Sequence, residues 1–185
     1  MFAPHEIRRS LVASWQLFRG RADGLALLDR TVEGFWRSFA AILLVLPVNA
    51  VTMLAVSRID DTDQTVGHLI LDGLPVLVTD WVAFPVLLAL AARPLGVTGT
   101  YVSYVVARNW AAPLAAALLM VPFLLEGAGW TSPPVTAFLS VISLGLVLRL
   151  HFVILRLALR TEIGPSAALV LADVIVTLVI VALFG

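Results

Sequence analysis

Five apolar stretches, at 36-56, 67-92, 102-125, 134-155 and 166-184, dominate the order of hydrophobic and polar positions along the chain. Each is near or above the ~20 residues a helix needs to cross a ~30 Å hydrocarbon layer. Backbone polar groups have no water to bind there, so each stretch is predicted to be a helix that pairs its own N–H and C=O groups. The expected fold class is all-α. It is a polytopic membrane helix bundle with five transmembrane helices over 36-185, preceded over 1-35 by a cytoplasmic, interfacial segment with an amphipathic N-terminal helix.

Within 5-19, Ile7, Leu11, Trp15 and Phe18 recur at helical spacing, with Arg8, Arg9, Gln16 and Arg19 largely off that stripe. Two placements fit: in the headgroup plane with Trp15 as anchor, or with the stripe packed on the bundle. Gly20 is the expected terminator. Asp23 is the expected N-cap of a second helical run through Leu25, Leu28, Val32 and Phe35. Arg19 and Arg21 interrupt the early apolar run, so 1-35 does not read as a signal peptide.

Prolines punctuate the spans. Pro47 lies in the first, Pro75 and Pro85 in the second, Pro113 and Pro122 in the third. The second span, at ~39 Å by helical rise, exceeds the hydrocarbon thickness and must tilt, kink or protrude. Glu126-Gly-Ala-Gly-Trp-Thr-Ser-Pro-Pro134 is turn chemistry, with Ser132 placed to cap the fourth helix. The short Ile163-Gly164-Pro165 connection makes the last two helices antiparallel neighbours.

Composition sharpens this picture. The chain is 61% hydrophobic and 13% charged, where soluble domains are nearer half apolar and a quarter charged. Little is left for a separate soluble domain. Lys is absent, and threading the five spans puts eleven of twelve Arg on the side of the N-terminus, with Arg58 alone opposite. That bias orients membrane proteins. It predicts a multi-pass inner-membrane protein with a cytoplasmic N-terminus and an exterior C-terminus. The absence of Cys removes disulfides and thiolate chemistry. Asp60, Asp61 and Asp63 lack the rest of a calcium loop and read as a solvated exterior turn.

Candidate chemistry lies inside the membrane. Asp80, Arg108, Arg149 and Asp173 fall within spans, where a central charge costs ~2.5–3.5 kcal/mol and needs a partner, a cavity or the interface. Counted from the Arg-rich ends, Arg108, Arg149 and Asp173 share a depth of ~9–12 Å and Asp80 lies at ~18 Å. Three arrangements fit. Asp173 can pair with Arg149 and fix helix register. All four can line a polar pathway or binding site. Each Arg can instead snorkel alone. Arg149, Arg156 and Arg160, spaced seven and four, share one helical face, and with His151 nearby they can grip an anionic lipid headgroup or serve as ordinary positive anchors. Asp80 between Pro75 and Pro85 resembles a locally unwound helix of the transporter kind.

Enzyme signatures such as H-E-x-x-H, G-x-S-x-G and the P-loop are missing. His5, His68 and His151 lie at different membrane levels, so no metal site is expected. No cofactor, catalytic residue or nucleic-acid partner is expected either. The partners expected are the lipid bilayer and other membrane subunits.

This layout of N-terminal segment, five spans and short exterior C-terminus resembles the Yip-type membrane family, in its bacterial branch. Thr31-Val-Glu-Gly-Phe-Trp-Arg-Ser-Phe39, leading into an apolar run with Pro47, is similar to stretches in bacterial membrane proteins of this general sort. The resemblance implies an adaptor or membrane-organising role without catalysis, and carries over no functional residue. The leading functional expectation is a non-enzymatic adaptor, scaffold or accessory subunit acting through helix packing. The alternative is a small transporter or channel component using the intramembrane Asp and Arg residues.

Overall fold

The computed structural model describes residues 4–59 and 66–184, with side chains in the second stretch described from Gly73 onward. Asp60, Asp61 and Asp63, and the side chains of His68 and Asp72, lie outside the described residues. The described chain is all-α, with seven helices and no strand. They are α1 (Pro4–Phe18), α2 (Val32–Ser38), α3 (Ile42–Ile59), α4 (Val66–Ala91), α5 (Tyr101–Gly127), α6 (Pro133–Leu159) and α7 (Ile163–Phe184). Five segments are long and apolar enough to cross a membrane: Val32–Ile59, Gly73–Ala91, Tyr101–Gly127, Pro133–Leu159 and Ile163–Phe184. The first joins α2 to α3 through a 3-10 turn at Phe39–Ala41.

The helices close in the order α3, α4, α7, α6, α5. α5 is the hub. It packs between α3 and α6 and reaches α4 through the side chains of Tyr101, Tyr104 and Arg108, while α4 and α7 pair on the far side. The unbroken buried run from Tyr104 to Ala111 follows from this position, because a helix with neighbours on every side buries every face. Outside the bundle the polarity inverts. Leu43, Leu90, Phe138, Val141, Leu171 and Leu178 are all exposed, which water penalises and acyl chains do not. α6 and α7 are antiparallel neighbours as the short connection predicts, with Arg160 at the α6 C-cap in the left-handed region at φ 57°.

One N-terminal expectation is corrected. Asp23 caps no second helix. It lies in a 3-10 turn, Ala22–Leu27, whose N-cap is Arg21, and the chain then extends at Leu28. The helical run restarts only at α2. There Thr31 is the N-cap and its Oγ1 accepts from Gly34 N at 3.1 Å. Asp29 Oδ1 accepts in turn from Thr31 N at 3.1 Å and Thr31 Oγ1 at 2.7 Å. Competing local hydrogen bonds of this kind outweigh the apolar periodicity and end one helix before starting the next. Gly34 is required, since a Cβ there would overlap the Asp29 carbonyl.

Of the two placements that fit the α1 stripe, packing on the bundle is not the one found: α1 packs on α5 and α6 by its other face. Glu6, Ser10, Ala13, Ser14 and Leu17 are buried, whereas Leu11 and Trp15 of the apolar stripe are exposed. Ser14 Oγ donates to Trp110 O at 2.7 Å and to Ser10 O at 2.9 Å, which explains how a polar face docks without loss. α1 ends where expected, at Gly20, whose φ of 78° suits glycine.

Candidate functional site

Proline decides where α4 can be gripped. Pro85 has no N–H to return to the carbonyl four residues earlier, so Trp81 O is left without its helical donor. Arg108 on α5 supplies one, Nη1 to Trp81 O at 3.4 Å. Tyr101, two turns nearer the Arg-rich end of α5, donates its hydroxyl to Pro85 O at 2.9 Å. α4 stays helical from Val66 to Ala91 through both Pro75 and Pro85. The locally unwound segment expected around Asp80 is therefore absent. Pro85 releases a carbonyl to a neighbouring helix instead.

Arg108 then anchors a polar network inside the ring. Its Nη2 donates to Asp173 Oδ1 on α7 at 3.3 Å. His151 Nδ1 on α6 lies 3.2 Å from the other oxygen, Oδ2. The Arg108 guanidinium also sits 5.9 Å from the centroid of the Phe84 ring. Arg108 is 8% exposed and Asp173 5%, so neither charge is solvated and each depends on the other. One turn along α7, Thr177 Oγ1 donates to Asp80 Oδ1 at 2.6 Å. Asp80 directly precedes Trp81, whose carbonyl Arg108 reaches. The network thus ties α4, α5, α6 and α7 together.

Of the four intramembrane residues expected to share a site, three come together: Arg108 and Asp173 in contact, Asp80 beside them. Arg149 does not. It faces α1, where Nη1 donates to Phe18 O at 2.5 Å and the guanidinium lies 5.8 Å from the Phe18 ring. The expected Arg149–Asp173 pair is replaced by Arg108–Asp173. His151 was the residue missed as a member. The signal was its spacing: two residues from Arg149, it points to roughly the opposite side of α6, so only one of the pair can face α7. Arg149, Arg156 and Arg160 are all exposed, but Arg149 is committed to the last turn of α1. The trio is therefore not one free grip.

The chain finds no match among protein-family models, curated proteins or solved structures.

Two further features frame the network. Among the described residues, no group of three His, Asp or Glu side chains is placed to hold a metal ion. Toward the Arg58 end, α3 and α4 part to leave an apolar groove of about 280 Å³, lined by Leu46, Pro47, Asn49, Ala50, Gly73 and Leu74 among others. Its lining is small where the helices approach, and a Cβ on Gly73 would overlap the end of Met53.

Proposed function

We propose that this protein is a non-enzymatic adaptor or accessory subunit of the inner membrane, acting through helix packing rather than transport. The observation that carries this reading is the disposition of the intramembrane charges. Arg108 and His151 each contact Asp173, and Asp80 is held by Thr177. Charges consumed in this way set the rotation and register of four helices. The open feature is apolar. The α3–α4 groove, with Pro47, Ala50 and Gly73 on its wall, suits close approach by a helix of a partner membrane protein. An adaptor role is also what the Yip-type resemblance implies. The Arg asymmetry supports a cytoplasmic N-terminus and an exterior C-terminus.

Photo-crosslinking in the native membrane tests the reading. Benzoylphenylalanine in place of the groove residue Leu74 should yield a discrete protein adduct. The same residue in place of Leu178, on the outer surface of α7, should yield lipid adducts alone. Lipid adducts from both positions overturn the proposal.

One observation favours a second reading. Two carboxylates, Asp80 and Asp173, lie close to one imidazole and one guanidinium within the spans. Such a set of intramembrane ionisable groups suits a small transporter or channel component. A proton flux into liposomes that Asp80→Asn abolishes would establish that reading in place of the first.

A further inference from the structure

α1 sorts its charges by side. Its one described acid, Glu6, is buried and lies 3.3 Å from Arg37 Nη2. Arg8 and Arg9 are exposed, and so is Arg19 just past its end. Between these cations lie Leu11 at 39% exposure, Val12 at 46% and Trp15 at 51%. The outward face therefore mixes an aromatic, two aliphatics and three guanidinium groups, with no carboxylate among them. The Trp15 ring stacks on Phe18 at 5.4 Å, and Phe18 is the residue that Arg149 holds. Two buried-side contacts keep this face outward, Ser14 to Trp110 O and Glu6 to Arg37. The same face adjoins the apolar outer surface of the bundle, since α1 rests on α5 and α6.

From this arrangement we infer that α1 binds the anionic lipid leaflet, with Leu11, Val12 and Trp15 in the acyl boundary and Arg8, Arg9 and Arg19 on lipid phosphates. Charge complementarity selects this occupant. A neutral surface would leave three guanidinium groups beside apolar side chains uncompensated, whereas acidic headgroups meet both needs at one depth. Arg149 is thereby a positioning residue: it fixes the end of α1 instead of holding lipid itself. The inference rests only on the helices crossing a bilayer, and holds for an adaptor or a transporter alike.

The absence of native Cys makes Val12→Cys a unique spin-labelling site on the full chain, reconstituted in vesicles of phosphatidylcholine with or without phosphatidylglycerol. The label should be reached by oxygen and shielded from a nickel chelate, and should sit deeper when phosphatidylglycerol is present. Each Arg near an anionic surface is worth roughly a fivefold preference. Replacing Arg8, Arg9 and Arg19 together by Gln should therefore cut the phosphatidylglycerol preference, measured by lipid competition at low salt, by on the order of a hundredfold. A label shielded from both oxygen and nickel would mean that protein covers this face, a partner or a second copy, and would overturn the inference. So would an unchanged lipid preference in the triple variant. An Arg149→Gln variant separates positioning from binding. It should mobilise the label while leaving the phosphatidylglycerol preference within about threefold, because the three lipid-facing Arg remain.

Discussion

Arg108 shows how one residue can answer two deficits. Pro85 strips Trp81 O of its donor, and Asp173 carries a charge that hydrocarbon will not tolerate; one guanidinium reaches both. Its planar fork of donors is what allows this, and the compact ammonium of Lys would not match it. Removing a partner from a buried ion pair costs about 3–5 kcal/mol, because the remaining charge is stranded. Arg108→Gln should lose stability of that order, measured by steric trapping in bicelles. Asp173→Asn in the same background should recover part of it by removing the stranded charge. The proline contribution is separable. Pro85→Ala restores an N–H to α4, so the Arg108 contact to Trp81 O becomes redundant. A double-mutant cycle between Pro85→Ala and Arg108→Gln should show a coupling of about 1 kcal/mol, the net worth of one such hydrogen bond. Additive effects would mean that the 3.4 Å contact contributes nothing. Pro85 was legible in the sequence as a kink point. Its partner was not, because the carbonyl it frees belongs to Trp81 and the donor that answers lies 27 residues away.

At the scale of elements, what was legible followed from length and hydropathy, and what was not followed from rotation. The spans needed no tertiary information, since 20 or more apolar residues have one solution in hydrocarbon. Helix rotation is another matter. Arg108, Arg149 and Asp173 had indistinguishable depths by residue count, and only packing turns Arg108 and His151 inward and Arg149 toward α1. The sequence leaves the α1 stripe open between bilayer and bundle for a related reason, since periodicity does not say which solvent a face meets; the Ser10–Ser14 face docks, and Leu11 and Trp15 stay exposed. The junction between α1 and α2 depends on Arg37, whose guanidinium meets Glu6, Asp29 and Glu33 at 3.3, 2.6 and 3.5 Å. Hydrogen bonds from the Thr31 hydroxyl and backbone, then the nearby Arg37 charge, hold the Asp29 carboxyl below its ordinary value of 3.8. A carboxyl whose native pKa is lowered stabilises the fold above its unfolded pKa, and that contribution disappears as pH falls through the native value. Amide exchange at Thr31 and Gly34 should therefore be flat from neutral pH down to about the ordinary carboxylate value, after correction for intrinsic rates, and accelerate below it. Asp29→Asn should remove that acid-dependent step. A step at the same place in the variant would mean that Asp29 does not carry it.

The whole molecule divides across its long axis. One end carries α1, the Arg37 cluster, the Arg108–Asp173–His151 network and exposed Arg93, Arg156 and Arg160. The other half, toward Arg58, is lined by apolar side chains and the α3–α4 groove. α5 and α6 have 27 residues each, so at 1.5 Å per residue they are roughly 40 Å long and outreach a ~30 Å core by about 10 Å. The excess belongs at the Arg-rich end, where α1 packs on them and its cations reach headgroup level. If all five helices cross, the odd number puts Phe184 and α1 on opposite sides. The proposed orientation then follows from the Arg count, because moving guanidinium groups across the bilayer is what the insertion machinery avoids. A single Cys introduced at Arg9, and in a separate chain at Leu183, should label oppositely with a membrane-impermeant maleimide: Leu183→Cys from outside intact cells, Arg9→Cys only after permeabilisation. Labelling of both from one side would require an even number of crossings, and one of the five helices would then have to lie outside the bilayer. α5 would be the one to suspect, since it is the least apolar of the five and carries Arg108, Asn109, Pro113 and Pro122. In that case Arg108 and Asp173 would face water rather than the bundle interior, and Arg108→Gln would cost about 1 kcal/mol or less, as at an exposed pair. The two measurements therefore constrain each other: opposite labelling goes with a stability loss of several kcal/mol at Arg108, and same-side labelling with a small one.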